Sequence, residues 1–253
     1  MTKFSANLGF LWTELSLPDA IRAAHKAGFD AVEFHWPFET PIDDVKSALS
    51  ETGLRLMGLN TRRGDVAAGD TGLAAQTGRE AEARVAIDEA IAYAAACGAG
   101  AVHVMAGIGE GAAARATFEE NLRYACDLAV PHNLTILIEP LNKFDAPGYF
   151  LNTTDQAREI IGAVGHPNLK LMFDCYHVGR TEGDVVERFG ALQKIVGHVQ
   201  FAAVPDRGAP DHGDLDYQAV FSALEAQGWD APLGAEYRPD GPTQNSLDWM
   251  NAL

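Results

Sequence analysis

The chain has 253 residues, 47% of them hydrophobic, which is enough material for the core of one large domain or two small ones. Its formal charge is -16, from 19 Lys and Arg against 35 Asp and Glu, with no basic cluster, so nucleic acid is not an expected partner. No run approaches the length of a membrane span and the first residues lack an export-signal pattern; the expectation is a cytoplasmic protein that makes no membrane contact.

Short apolar runs alternate with longer amphipathic segments along the whole chain. FSANLGFLW (4–12) is followed by SLPDAIRAAHKAG, in which Ser16 reads as a helix cap and Gly28 as a stop. AVEFHW (31–36) and RLMGLNT (55–61) come next, then the Ala-rich GREAEARVAIDEAIAYAAACG, closing at Gly98. AVHVMAG (101–107) precedes AARATFEENLRYACDLAVPH, and LTILIEP (134–140) precedes TTDQAREIIGAVG. LKLMFDCYH (169–177) and VGHVQFAAV (196–204) lead to DYQAVFSALEAQGW and finally PLGAEYRP (232–239). Alternation of this kind implies a parallel sheet, and its count and length match an α/β fold of the (β/α)8 TIM barrel type, one domain over residues 1–253. An open doubly wound sheet competes, but the first strand-to-helix turn lacks G-x-G-x-x-G and no Pro/Gly/Ser-rich linker divides the chain.

In such a barrel the C-terminal strand ends meet at one rim, where active sites lie. Glu139 ends one run and Glu236 occupies the matching place in the last. Asp174 lies at the end of the sixth, with His177 three residues on, where the strand is expected to become a loop. Side chains alternate along a strand, so His198 and Gln200 share a face, with Gln200 nearer the rim. One polar residue at a strand end is more often a cap or an ion pair; four that converge are a different matter. Three carboxylates crowded into a low-dielectric mouth need a cation or raised pKa values. Oxygen donors without a cysteine or multi-histidine set favour one divalent cation, Mg²⁺ or Mn²⁺.

The remaining polar residues carry blander expectations. Glu33, His103 and His198 read as support inside the barrel, His103 with a satisfied hydrogen bond. Trp36 and Phe38 could wall the mouth with apolar surface, and His35 could line it. Three cysteines without a C-x-x-C pair suit a reducing compartment; Cys97, Cys126 and Cys175 read as structural thiols.

The segments ILIEPLN, FDCYH, GHVQFA and GAEYRP resemble the sugar isomerase and epimerase barrels related to xylose isomerase, most closely the hydroxypyruvate isomerase family. The likeness extends through GFDAVEF, GLNTRRGDVAAGD and PGYFLNTTDQA. It implies that Glu139, Asp174, Gln200 and Glu236 hold the cation and that the two glutamates are the acid/base pair of an enediolate isomerisation. Epimerase relatives usually carry histidine at Gln200, so glutamine tilts the resemblance toward hydroxypyruvate isomerases. The implied reaction interconverts hydroxypyruvate and tartronate semialdehyde; the alternatives are a 2-oxo-tetronate isomerase or a ketose 3-epimerase. A non-catalytic sugar-binding barrel and an endonuclease IV-like repair enzyme are more distant alternatives. His177 matches a substrate-contacting histidine and Arg207 a cationic substrate contact. Lys143, Arg238, Asn60 and His35 are further candidates for holding a small anionic keto or aldehyde acid. The resemblance also suggests a homo-oligomer.

Overall fold

The computed structural model describes residues 2–252. Its strands are β1 (Phe4–Asn7), β2 (Ala31–Glu33), β3 (Arg55–Leu56), β4 (Gly58–Asn60), β5 (Ala101–His103), β6 (Thr135–Ile138), β7 (Leu169–Asp174), β8 (Val196–Phe201) and β9 (Leu233–Ala235). They form one sheet in the order β3-β2-β1-β9-β8-β7-β6-β5-β4, and every pairing is parallel. β3 and β4 are two halves of one stave, interrupted at Met57, so the two ends of that order are the same segment of chain. Phe34 N donates to Gly58 O at 2.9 Å and Asn60 N to His35 O at 2.9 Å, carrying the pairing across the seam. The result is the expected eight-stave barrel.

The helices on the outside follow their local signals. α1 (Leu17–Ala27) starts where the Ser16 hydroxyl accepts from Asp19 N and ends where Gly28 turns left-handed. α3 (Glu80–Cys97) stops at Gly98, α5 (Thr154–Val164) is capped by Thr153, and α8 (Tyr217–Ala226) by Asp216. α4 (Gly111–Ala129) also falls on its anticipated segment. Besides the short last helix, three were not anticipated: α2 (Ile42–Thr52), and the pair α6 (Cys175–Thr181) and α7 (Val185–Leu192) between the sixth and seventh staves. A short last helix, α9 (Trp249–Ala252), brings Trp249 against Phe4 at 4.9 Å between ring centroids.

Most strands stop short of the apolar runs, the fourth at His103 and the seventh at Phe201, and two of the ends bear on the site. The first strand stops at Asn7, not Trp12, because the Asn7 side chain accepts from Gly9 N and turns the chain. The sixth run stops at Asp174, whose Oδ1 accepts from Tyr176 N at 2.8 Å and so caps α6. His177 therefore lies in the first turn of a helix, not in a loop.

Side-chain alternation sorts the staves into layers. Ala101, Leu137 and Met172 form an apolar cluster of their own, and two residues further on come His103, Glu139 and Asp174. On the other side Ser5 leads to Asn7, His198 to Gln200, and Gly234 to Glu236. Gly234 is needed for space, since a Cβ there would lie 2.3 Å from Glu33 Oε1. Among the described residues no helix is long and apolar enough to cross a membrane.

Candidate active site

The mouth of the barrel holds two adjoining polar groups. The lower one centres on Glu33, which is 3% exposed. Its Oε1 accepts from Ser5 Oγ at 2.7 Å, and its Oε2 accepts from Gln200 Nε2 at 2.7 Å and lies 3.0 Å from His198 Nε2. Burial disfavours a charged His198, but the adjacent Glu33 outweighs it and raises the imidazole above its usual value. The expectation of support inside the barrel fits Glu33 and His198.

The upper group contains Glu139, Asp174, His177 and Glu236, all buried, with ligand atoms within 4.8 Å of one another. Burial and the charges of Glu236 and Asp174 push Glu139 well above the normal carboxylate range. Asp174 is raised to about 7 by burial and Glu236. Burial also acts against a charged Glu236, but Arg207 and His35 overcome it and hold the group at about 2. The carboxylates are thus too close to be equally ionised.

Hydrogen bonds distinguish the members further. Among the described residues Glu139 Oε1, Asp174 Oδ2, Gln200 Oε1 and His177 Nε2 have no hydrogen-bond partner. Glu236 is fully engaged: Oε1 accepts from Asn7 Nδ2 at 2.9 Å and from His35 Nε2 at 3.0 Å, and Oε2 accepts from Arg207. Arg207 also approaches Asp174 Oδ2, at 3.9 Å, and lies over the rings of Phe10 and Tyr176.

The tautomer of His177 follows from its neighbours. The backbone N–H of Asn142 donates to Nδ1 at 3.0 Å, so that nitrogen is an acceptor and the proton of the neutral ring sits on Nε2. Burial and Arg207 lower the ring to about 3, which keeps it neutral. Nε2 lies 3.6 Å from Asp174 Oδ2 and 3.8 Å from Glu139 Oε1, where an N–H is a donor and not a metal ligand. Gln200 suits a cation better, because Nε2 is committed to Glu33 and its carbonyl oxygen is free. The unpartnered oxygens of Glu139, Asp174 and Gln200 therefore fit a hard divalent cation, whereas both oxygens of Glu236 are already engaged.

The structure does not bring every candidate to this group. His35 reaches Glu236, whereas Asn60 lines a small internal cavity with Glu33, His103 and Gln200. Lys143 and Arg238 are exposed; their nearest ring partners, Phe144 and Phe10, lie at 5.8 Å, and neither cation pairs with an acid of the mouth. His103 departs from the expected satisfied hydrogen bond. Both its ring nitrogens are unpartnered among the described residues, Nδ1 stands 3.6 Å from Glu139 Oε2, and burial lowers the ring to about 4. Trp36 donates to Thr61 O and lies beside His35, while Phe38 packs on Tyr93 away from the acids. Cys175 is buried and its thiol pushed well up by burial, in keeping with a structural thiol.

Sequence reasoning missed Asn7 and Asn142. Asn7 closes β1 just as the acids close their strands, a signal masked by the overlong first run. Asn142 stands three residues after Glu139, and only the fold shows that its backbone faces His177.

A parallel eight-stave barrel with acids at the C-terminal strand ends defines a class of barrel whose active sites are built on that rim. The family "Xylose isomerase-like TIM barrel" matches residues 21–253, and the chain belongs to it. It is 42% identical over 254 residues to the 2-oxo-tetronate isomerase of Cupriavidus necator, covering 99% of this chain and 98% of that one. It is 36% identical over 255 residues to the hydroxypyruvate isomerase of Escherichia coli, covering 99% of each. A crystal structure described as an AP endonuclease, family 2, from Brucella melitensis superposes with a TM-score of 0.95 at 39% identity, covering 100% of this chain and 99% of that one.

Proposed function

We propose that this protein is a metal-assisted isomerase that moves a proton between adjacent carbons of a small 2-oxo acid. Hydroxypyruvate and tartronate semialdehyde are the preferred pair, with 2-oxo-tetronate as the second substrate reading because a relative so named is 42% identical. The observation that carries the proposal is the set of unpartnered, buried oxygens on Glu139, Asp174 and Gln200, with Glu236 grouped beside the two acids.

Glu139, Asp174, Gln200 and Glu236 would hold a divalent cation, which would supply charge stabilisation for a negative oxygen developing on the substrate. The chain supplies the rest. One glutamate removes the proton from carbon and the other returns a proton to the neighbouring carbon, while the hydroxyl proton passes from the oxygen of the first carbon to that of the second; the direction of reaction decides which glutamate acts first. Asn7 and His35 fix Glu236 through Oε1, leaving Oε2 for exchange between Arg207 and the reacting centre. His177, held by Asn142, offers an Nε2–H to a substrate oxygen. Arg207, paired with Glu236, carries positive charge into the acidic mouth and offsets part of the repulsion among its carboxylates. A net charge of -16 disfavours a nucleic-acid substrate.

The test is an isomerase assay on three- to six-carbon keto compounds with added Mg²⁺ or Mn²⁺, with and without chelator. Turnover of hydroxypyruvate that stops on chelation and returns with metal is the expected result. Equal turnover after complete chelation would remove the cation from the mechanism.

A further inference from the structure

Cations at the mouth differ in how they are committed. Arg62, at the end of the third stave, donates to both oxygens of Glu89 and to Glu39. Arg207 is committed to Glu236. Arg63, next in the chain, has no acidic partner among the described residues; its guanidinium lies 3.9 Å from the Trp36 ring centroid. In a chain with 35 acids, a half-buried arginine without one is unusual company for an acidic mouth.

Its position is held from several sides. Gly72 N donates to Arg63 O at 2.9 Å, and Thr61, two residues earlier, accepts from Trp36 Nε1 at 3.1 Å. Trp36 in turn lies 4.9 Å from His35, whose Nε2 reaches Glu236. A continuous line of side chains thus runs from Glu236 through His35 and Trp36 to Arg63, on the opposite side of the mouth from β8 and Arg207. Stacking on the indole occupies a face of the guanidinium and leaves the N–H edge free for a planar, two-oxygen acceptor. Burial lowers the Arg63 pKa with no acid to offset it, which marks a cation short of an anion.

We propose that Arg63 binds the substrate carboxylate and so selects 2-oxo acids over neutral ketoses at this site. The inference rests on the isomerase reading above and names the group that reads the substrate's charge. Arg63 is a specificity residue; it takes no part in proton transfer.

The test compares R63A, R63Q and R63K with R62A in the Mg²⁺-loaded protein, each checked first for an unchanged thermal melt. For hydroxypyruvate, R63A and R63Q should raise KM about tenfold to a hundredfold, the range for a lost charge-assisted hydrogen bond, with kcat nearly unchanged. R63K should recover part of the loss, since ammonium keeps the charge but not the fork, and R62A should behave as wild type. Calorimetry with hydroxymalonate, an unreactive dicarboxylate, should show the same ranking. Unchanged KM and hydroxymalonate affinity in R63A overturn the proposal, as does an equal loss in R62A, which would indicate only general surface charge. If the wild type turns over no keto acid, the isomerase reading fails, and the hydroxymalonate ranking still decides Arg63: weaker binding by R63A upholds it, and equal binding or none overturns it.

Discussion

Two buried polar groups share the mouth of this barrel, and they are built on opposite rules. Around Glu33 both carboxylate oxygens are engaged, by Ser5, His198 and Gln200. Around Glu139 the carboxylates repel one another, and oxygens on Glu139, Asp174 and Gln200 lack partners among the described residues. A satisfied buried network holds a structure in place, while an unsatisfied one made of like charges costs stability and is kept for what it can bind or do. Gln200 belongs to both, its amide nitrogen below and its carbonyl oxygen above, so the lower network aims a ligand for the upper.

The sharpest way to break this contrast is to make the same substitution in each group. E139Q should cut proton exchange about 10²–10⁴-fold, the usual share of a general acid or base, while its melting temperature holds or rises as repulsion is relieved. Retained solvent-deuterium exchange into hydroxypyruvate would sink its assigned role. E236Q should lose exchange as well, but also melt lower, because Arg207 is left without its acceptor. E33Q should act mainly on stability: the new amide must point an N–H₂ at Ser5 or at Gln200 and His198, a broken buried pair worth about 3–5 kcal/mol in a urea titration. If E33Q unfolds no more easily than E139Q, the division into supporting and reacting groups is wrong.

Metal binding sharpens the same contrast at somewhat lower cost. A divalent cation at 100 times its Kd should add about 2.7 kcal/mol to wild-type stability. In a chain of this size that corresponds to a rise in Tm of about 5–10 °C. D174N should abolish most of the rise, whereas variants of the lower group such as S5A should keep it. A metal-independent Tm in the wild type would contradict the reading of the unpartnered oxygens.

Much of the mouth was legible because acids that close apolar runs are costly to bury without purpose. Glu139, Asp174, Gln200 and Glu236 could be placed from strand alternation alone. What stayed hidden depended on where strands stop. Asp174 is at once a candidate ligand and the cap of α6, and a single sequence does not separate a strand that continues to His177 from one that turns into a helix. The break of the third stave at Met57 leaves no signal of its own, and Arg63 gained meaning only once Trp36 was seen beneath it. Lys143 and Arg238 follow the two glutamates by four and two residues, but the backbone leaves both side chains exposed.

Gly9 offers a milder perturbation that reaches Glu236 without touching it. A Cβ at this position would lie 2.0 Å from His35 Nδ1 and 2.1 Å from its Cγ, so the ring has to move. Overpacking of this kind costs about 1–3 kcal/mol. The displaced ring can no longer donate to Glu236 Oε1, so G9A should lower kcat more than it raises KM. A variant with wild-type kcat would show that His35 is not needed to position Glu236.

The weakest tie lies outside both groups, in the loop that carries Arg207. His212 is half exposed, and its ring nitrogens lie 2.8 Å from Asp211 Oδ1 and 2.8 Å from Asp206 Oδ2. These two contacts raise the imidazole above its ordinary 6.5. A histidine raised on folding contributes fully below its unfolded pKa, where it is charged in both states, and the contribution fades as pH climbs through the folded value. Solvent screening keeps the effect small. The His212 ring signals should therefore titrate above 6.5 by NMR, shift back toward it in D206N, and be accompanied by faster amide exchange in residues 205–214 as pH rises past the midpoint. Glu139 and Asp174 belong to other staves, so a loop that loosens without loss of activity would show that Arg207 is held chiefly by Glu236. Parallel loss of activity and protection would place part of that grip in the aspartate-histidine brace.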